Sequence, residues 1–176
     1  MESPCSRRAR SRGESALDLG IEIRRDLELG VYRFPEVFRG FDMVEAVKAI
    51  FGRKTQDVLA GIKVVLASRH GYMHVDGETG DLHVSQPYLE KADERYIYLD
   101  VIHELVHIRQ FHEGEELFDE RYDYVDRPTE IEAYRATLKE ARRIGYEGEE
   151  LVEYLKVDWV SDADFKRFLE VLGVKA

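Results

Sequence analysis

The most reactive combination of side chains in this sequence is the pentad His103-Glu104-Leu105-Val106-His107. In an α-helix, residues four apart lie nearly above one another, so one helix can aim both imidazoles at a single point. Zinc binds imidazole nitrogens at about 2.0–2.1 Å in a tetrahedral arrangement, and a rigid helix supplies two of them. Glu104 follows the first histidine and can act as general base on a zinc-activated water molecule. The pentad therefore predicts a zinc site that performs hydrolysis.

The residues around the pentad predict a buried helix from Ala92 to Glu113, with Asp93 as its N-cap and Gly114 as its end. A helix that is apolar all round is a buried helix, and buried imidazole and carboxyl groups need partners. A metal ion would satisfy all three groups of the pentad at once. The alternative interpretation is a pair of core or surface histidines hydrogen-bonded to their neighbours. The apolar flanks are Leu99, Val101, Ile102, Leu105, Val106 and Ile108.

A catalytic zinc needs a third protein ligand, for which His112, Glu130 and Glu132 are the candidates. His112 lies about 140° round the helix from His107, so we expect it at the surface. Glu130 and Glu132 open the next predicted helix, where a small residue, Ala133, would allow close packing against the pentad helix. This favours Glu130 as ligand and leaves Glu132, about 200° away, as the alternative ligand or as a group that supports one. Both could also be ordinary acids that the helix dipole favours in a first turn.

Composition excludes several classes of protein. The chain has 176 residues and a net charge of −10, which argues against binding to nucleic acid. Its one cysteine, Cys5, permits no internal disulfide and no cysteine-rich zinc site. No apolar run approaches the roughly 20 residues of a membrane span, and no signal-type segment follows the basic N-terminus. We therefore expect a cytoplasmic protein without a membrane partner, and the sequence does not indicate its oligomeric state.

Three strand patterns precede the pentad helix and predict a small antiparallel sheet. They cover residues 62–67, 71–75 and 81–85, and the last two flank Asp76-Gly77-Glu78-Thr79-Gly80, which is typical of a hairpin turn. His74 and His83 lie on the two arms, where we expect them to be cross-strand partners rather than metal ligands. The fold class predicted is α+β, with this three-stranded antiparallel sheet packed on the buried pentad helix.

The rest of the chain predicts mainly helices around that core. Residues 1–13 resemble a flexible tail, and residues 14–176 a single domain with a helical N-terminal segment (14–53), a core (54–145) and C-terminal helices (146–176). The segment 31–41, rich in aromatic residues, is expected to be a packed loop. The expected helices are residues 14–29, 42–51 with Asp42 as N-cap, 55–60, 130–144, 149–156, and 161–172 with Ser161 as cap.

The pentad, a connection and then Glu130-Ile131-Glu132-Ala133 at the start of a helix resemble the gluzincin metallopeptidases. The predicted hairpin sheet before the pentad is similar to the minimal catalytic domain of that clan, and the resemblance covers about residues 54 to 145. It implies that His103, His107 and Glu130 are zinc ligands and that Glu104 is the general base. It also implies that an extended peptide or protein substrate lies along the strand through Leu82 to Ser85.

Two features depart from the gluzincin pattern. Many members carry an acid four residues after the glutamate ligand, which holds the first histidine, whereas this chain has Tyr134 there. No residue stands out as the stabiliser of the transition state, for which Tyr122, Tyr124 and His112 are candidates. The expected function is a zinc-dependent metallopeptidase, and the alternative is a non-catalytic metal-binding regulatory or interaction module.

Overall fold

The structure is a computed structural model that describes residues 18–175. The tail over residues 1–13 and the start of the helix expected from residue 14 lie outside the described residues. Within the described part, the strands are β1 (Glu22–Ile23), β2 (Gly30–Arg33), β3 (Phe38–Arg39), β4 (Lys63–Ala67), β5 (Met73–Val75) and β6 (Leu82–Ser85). The helices are α1 (Phe34–Val37), α2 (Glu45–Phe51), α3 (Thr55–Gly61), α4 (Gln86–Lys91), α5 (Glu94–His112), α6 (Pro128–Arg143), α7 (Glu149–Leu155) and α8 (Asp162–Leu172).

The strands before α5 form a four-stranded mixed sheet in the order β2-β4-β6-β5, so the expectation of a three-stranded antiparallel sheet was wrong. β4 and β6 run parallel, while β2–β4 and β5–β6 are antiparallel. After β4 the chain forms β5 at the edge of the sheet opposite β2, and β6 then lies between β4 and β5. This places β4 and β6 in the centre, where Val64, Leu82 and Val84 are fully buried on one face and Val65 and His83 are half-buried on the other.

The hairpin from β5 to β6 confirms the predicted turn and its histidine pair. His74 lies opposite His83 in the register, and the two rings stack with centroids 5.2 Å apart. The side chain of Asp76 accepts hydrogen bonds from the backbone N–H groups of Glu78 and Thr79, which closes the turn. The turn ends at Gly80, whose φ of +72° is in the left-handed region that favours glycine.

We predict that Gly80→Ala destabilises the protein by about 2–4 kcal/mol, because it combines backbone strain with a steric clash. A Cβ at this position would lie 2.5 Å from the Phe111 ring on α5. Urea denaturation of the parent and the variant measures the difference. The control is Gly61→Ala, which meets no atom within 4 Å at the end of α3 and should leave stability unchanged or slightly raised. Equal midpoints for Gly80→Ala and the parent would contradict the prediction.

The helix expected over residues 14–29 was wrong for its described part. Leu19, Ile21 and Ile23 are half-buried and the residues between them are exposed, which is the period of an extended chain and not of a helix. β1 accordingly pairs with β3. Arg25 donates two hydrogen bonds, to the carbonyl oxygens of Leu89 and Ala92, and so joins this segment to the end of α4.

The segment 31–41 also differs from expectation, because the predicted loop contains β2, α1 and β3. Phe34, Phe38 and Phe41 pack against one another with ring centroids 5.2–6.0 Å apart, and this contact folds the short elements onto the core. The N-terminal segment is therefore a mixture of strands and short helices, not the mainly helical segment that was expected.

α4 was not predicted from the sequence, whereas the remaining helices agree with the predictions to within a few residues. α2 begins at Glu45 instead of Asp42, because a 3-10 turn over Phe41–Met43 precedes it. The hydroxyl of Ser161 accepts a hydrogen bond from the N–H of Asp164 and caps α8 as expected. Among residues 18–175, no helix is both long enough and apolar enough to cross a membrane. Most of the buried apolar side chains between Leu27 and Val174 form one contiguous core.

Candidate metal centre

The pentad lies in the middle of α5, which the core surrounds as its sequence predicted. The side chain of Asp93 accepts a hydrogen bond from the N–H of Arg95 and so caps the helix at its start. β5, α2 and α6 pack against α5. His103, Glu104 and His107 are all buried, with 6–7% of their surface exposed. Their polar atoms therefore need partners inside the protein.

The structure brings His103, His107 and Glu130 together. The Nε2 atoms of the two histidines are 3.0 Å apart, and the Oε2 atom of Glu130 lies 3.3 Å from that of His103 and 3.5 Å from that of His107. Glu130 is on the first turn of α6, which packs on α5 at the fully buried Ala133. One atom from each of the three residues could bind the same metal ion.

The chemistry of these three residues fits a divalent cation. The Oε2 atom of Glu130 is buried and has no hydrogen-bond partner within residues 18–175. Two imidazole nitrogens facing each other at 3.0 Å can share one hydrogen atom, but that hydrogen bond gives the Glu130 oxygen no donor. A cation between the nitrogens and the carboxylate would satisfy all three, and two imidazoles with one carboxylate are a common ligand set of catalytic zinc.

The charges within the cluster are strongly coupled. Burial opposes ionisation of Glu130, but the two histidines outweigh it and lower the pKa of its carboxyl group. Burial also lowers the pKa of His103. For His107, burial is outweighed by Glu130 and Glu104, which raise its pKa to about 9. A divalent cation at the cluster would compete with protons for the imidazole nitrogens and the carboxylate.

A chain of hydrogen bonds fixes the orientation of His107. Its Nδ1 atom is 2.7 Å from the Oε1 atom of Gln110, and the amide nitrogen of Gln110 donates to Thr129 O and to Glu132 Oε2. The Nδ1–H therefore donates to Gln110, and Nε2 is left as the nitrogen that faces Glu130. Glu132 lies behind this chain, where it also pairs with Arg109 at 2.7 Å.

Sequence analysis missed Gln110, although its position indicated this contact. It lies three residues after His107, so its side chain is on the same face of the helix. It is fully buried, as few glutamines are. A buried amide one turn from a candidate ligand is thus a sign of a histidine that is held in place.

His103 lacks a comparable partner, which agrees with the departure noted at Tyr134. Its Nδ1 atom is buried and has no hydrogen-bond partner among residues 18–175. Its ring instead contacts the ring of Tyr134, with centroids 4.3 Å apart, and the hydroxyl of Tyr134 is 2.7 Å from that of Tyr124. The aromatic ring of Tyr134 is thus the contact that the structure shows beside His103.

Glu104 points to the edge strand of the sheet. Its Oε2 atom accepts a hydrogen bond of 3.0 Å from the backbone N–H of Val75 on β5. Burial, and then the negative charges of Glu130 and Asp100 against the opposing charge of His107, raise its pKa to about 8. A cation at the neighbouring cluster would favour the carboxylate and lower that pKa again.

Asp100, one turn before His103, is a buried acid of α5 that sequence analysis also missed. It accepts hydrogen bonds from the hydroxyl groups of Tyr88 and Tyr154. These bonds join α5 to α4 and to α7, so Asp100 helps to hold the pentad helix in place. The sequence places Asp100 on the helix but cannot show that two distant tyrosines meet it.

A pocket of about 340 Å³ opens in front of the cluster. His103, Glu104, His107 and Glu130 form its polar wall, and β5 with the residues before it forms a second wall. The connection between α5 and α6 and the segment after α7 close the remaining sides. From them come Leu117, Phe118, Tyr124, Arg127, Val157 and Trp159.

Of the three candidates for a transition-state stabiliser, only Tyr124 lines the pocket. Burial, followed by the charge of nearby groups, raises its pKa well above 10, so its hydroxyl keeps its proton and can donate a hydrogen bond. Tyr122 and His112 are exposed and are not among the residues that line the pocket.

The strand that faces the pocket differs from the one that the resemblance implied. β6, which contains Leu82 to Ser85, lies between β4 and β5 and has no open edge. β5 is the edge strand. Tyr72 O and Asp76 N bond to β6, and by the alternation of an antiparallel ladder the backbone groups of Met73 and Val75 point away from it, as the bond from Val75 to Glu104 shows.

Comparisons of the chain with protein-family models, with curated proteins and with solved structures find no match. The cluster of His103, His107 and Glu130 is a possible metal site, but such a cluster does not by itself identify a gluzincin. The resemblance noted in the sequence therefore stays a prediction, and function has to be argued from the site.

Proposed function

We propose that this protein is a zinc-dependent metallopeptidase. His103, His107 and Glu130 would hold the zinc, and Glu104 would act as general base. The observation that carries the proposal is the convergence of three ligand atoms within 3.5 Å of one another, in a pocket whose wall also contains Glu104. A zinc ion held there would polarise a carbonyl group. It would also lower the pKa of bound water, so that the water can lose a proton and act as a nucleophile at neutral pH.

The residues around the site have distinct roles in this proposal. Glu104 accepts a proton from the attacking water and passes it to the leaving amine, while the N–H of Val75 keeps its carboxylate in position. The hydroxyl of Tyr124 donates to the carbonyl oxygen of the substrate as negative charge develops there. Backbone groups of Met73 on the open edge of β5 bind an extended peptide as an added strand.

The second candidate function is a metal-binding regulatory or interaction module without turnover. The unpartnered Nδ1 atom of His103 favours it, because the partners of histidine ligands orient them and strengthen metal binding. A weakly oriented His103 would still bind a metal but would support catalysis poorly.

The test uses the full-length protein and two measurements. Elemental analysis after dialysis gives the metal content, for which we expect one zinc ion per chain. A peptide library analysed by mass spectrometry, with and without a chelator, then detects cleavage, which should stop with the chelator and return with added zinc. Zinc without cleavage would support the second candidate, and absence of bound zinc would contradict both.

A further inference from the structure

Arg127 is a cation in the pocket that the proposed mechanism does not use. It precedes α6 by one residue and Glu130 by three, and it lines the same pocket as the cluster. Its Nε atom is buried and has no hydrogen-bond partner within residues 18–175. Its guanidinium carbon lies 6.0 Å from the centroid of the Phe118 ring. The side chain makes no bond to cap α6, so the helix does not need it.

Asp119 and Asp126, two acids of the connection that carries Arg127, are paired with other arginines. Asp119 accepts hydrogen bonds from Nε and Nη2 of Arg121, at 2.9 and 2.6 Å. The hydrogen bonds from Arg121 are the main reason that the pKa of Asp119 is lowered. The charge of Arg127 makes a smaller contribution to that shift. Asp126 is paired with Arg167 at 2.7 Å. Within residues 18–175, Arg127 thus has no carboxylate as an ion-pair partner, although the chain has 36 acidic and 26 basic residues.

The wall next to Arg127 is apolar and accessible. Phe118 is 47% exposed and Trp159 is 61% exposed, although both are large apolar side chains, and Leu117 and Val157 line the pocket with them. The ring of Trp159 also contacts that of Tyr124, with centroids 5.9 Å apart. Exposed aromatic residues around a pocket are typical of a binding site for an apolar group.

We propose that Arg127 binds a carboxylate of the substrate, while Phe118, Val157 and Trp159 contact a large apolar side chain next to that carboxylate. This inference rests on the proposed function and names its substrate class. A guanidinium matches a carboxylate with two parallel N–H···O bonds, and such a pair would satisfy the buried Nε–H. The carboxylate is either the C-terminus of a peptide or the side chain of an aspartate or glutamate.

The test measures binding without metal or turnover. Trp159 is the only tryptophan of the chain and lines the pocket, so its fluorescence reports on ligands there. The probes are N-acetylphenylalanine, N-acetylphenylalanine amide and N-acetylphenylalanylglutamate α-amide, titrated into chelator-treated protein at neutral pH. The first probe has a terminal carboxylate, the second none and the third only a side-chain carboxylate. We expect at least one carboxylate probe to bind about tenfold or more tightly than the amide, and the tighter one identifies the source.

Substitutions at Arg127 assign that preference to its side chain. Arg127→Gln should weaken binding of the preferred carboxylate probe by about 10- to 100-fold and leave the amide unchanged. Arg127→Lys keeps the charge but not the planar guanidinium, so its affinity for the carboxylate probe should lie between those of the parent and of Arg127→Gln. The lysine variant also provides the test if the glutamine variant does not fold. The control is Arg135→Gln, at an exposed arginine of α6 outside the pocket. Equal binding of acid and amide by the parent, or a preference that survives both substitutions, would overturn the proposal.

This outcome does not depend on hydrolysis, so the two proposals can fail separately. If the protein cleaves peptides, Arg127→Gln should lower kcat/KM for a substrate with the preferred carboxylate and spare its amide. An equal loss with both substrates would show that Arg127 acts on the carbonyl oxygen in the transition state, and would also overturn carboxylate recognition.

Discussion

Glu104→Gln is expected to abolish peptide hydrolysis while the protein keeps its zinc. The amide has the shape of the carboxylate, and its oxygen can still accept the hydrogen bond from the N–H of Val75. It cannot take a proton from water, and loss of a general base lowers rates by about 10²- to 10⁴-fold. Steady-state cleavage of a peptide found with the library, together with elemental analysis of the same sample, measures both effects.

The matched control is Glu113→Gln, which changes an exposed acid just after α5 that pairs with Arg109. It should cleave the peptide at the rate of the parent. A Glu104→Gln variant that turns over like the parent would remove Glu104 from the role of general base. A variant that loses zinc would instead place Glu104 among the groups that hold the metal.

His107→Ala is expected to lose the zinc itself. The substitution leaves only His103 and Glu130 in the cluster, and the two remaining groups do not complete a catalytic site. Affinity for zinc should fall by more than about 100-fold, because loss of an outer partner of a ligand already lowers it by 10- to 100-fold. Titration with a competing chromophoric chelator measures the affinity.

Three further variants separate ligands from neighbours. His112→Ala alters an exposed histidine five residues later and should keep full affinity for zinc. Glu130→Gln should lose zinc as His107→Ala does, whereas Glu132→Gln should retain it, because Glu132 reaches only Gln110 and Arg109. A full complement of zinc in His107→Ala would exclude His107 from the ligands, and loss of zinc in Glu132→Gln alone would exchange the roles of the two acids.

The helix that carries the pentad could be predicted because its causes are local. Apolar residues on every side, Asp93 before the first turn and Gly114 after the last all lie within a few residues of the elements that they determine. The choice of Glu130 over Glu132 followed from the same kind of argument, since helical spacing puts Glu130 and Ala133 on one face. The structure places Glu130 at the two imidazoles and Glu132 behind them.

The sheet could not be predicted to the same depth because pairing joins distant segments. β4 is rich in β-branched and apolar residues, and β5 and β6 flank a turn sequence, but these patterns do not show whether two strands run parallel or which one lies at the edge. β2 was missed because its outward residue Val31 is apolar and its segment carries aromatic residues that suggested a loop. The strand order also decides which strand lies next to the pocket. The resemblance implied that a peptide lies along β6, whereas the strand with an open edge at the pocket is β5.

The sequence by itself determined the pentad helix and the face from which a carboxylate approaches, because helical geometry converts spacing into direction. The tertiary structure decided which distant groups meet that helix. Gln110 could have been found from spacing alone, but the tyrosines at Asp100, the ring of Tyr134 beside His103 and Arg127 in the pocket could not. Their positions follow from the packing of α4, α6, α7 and the connection after α5, and such packing is settled only by the whole core.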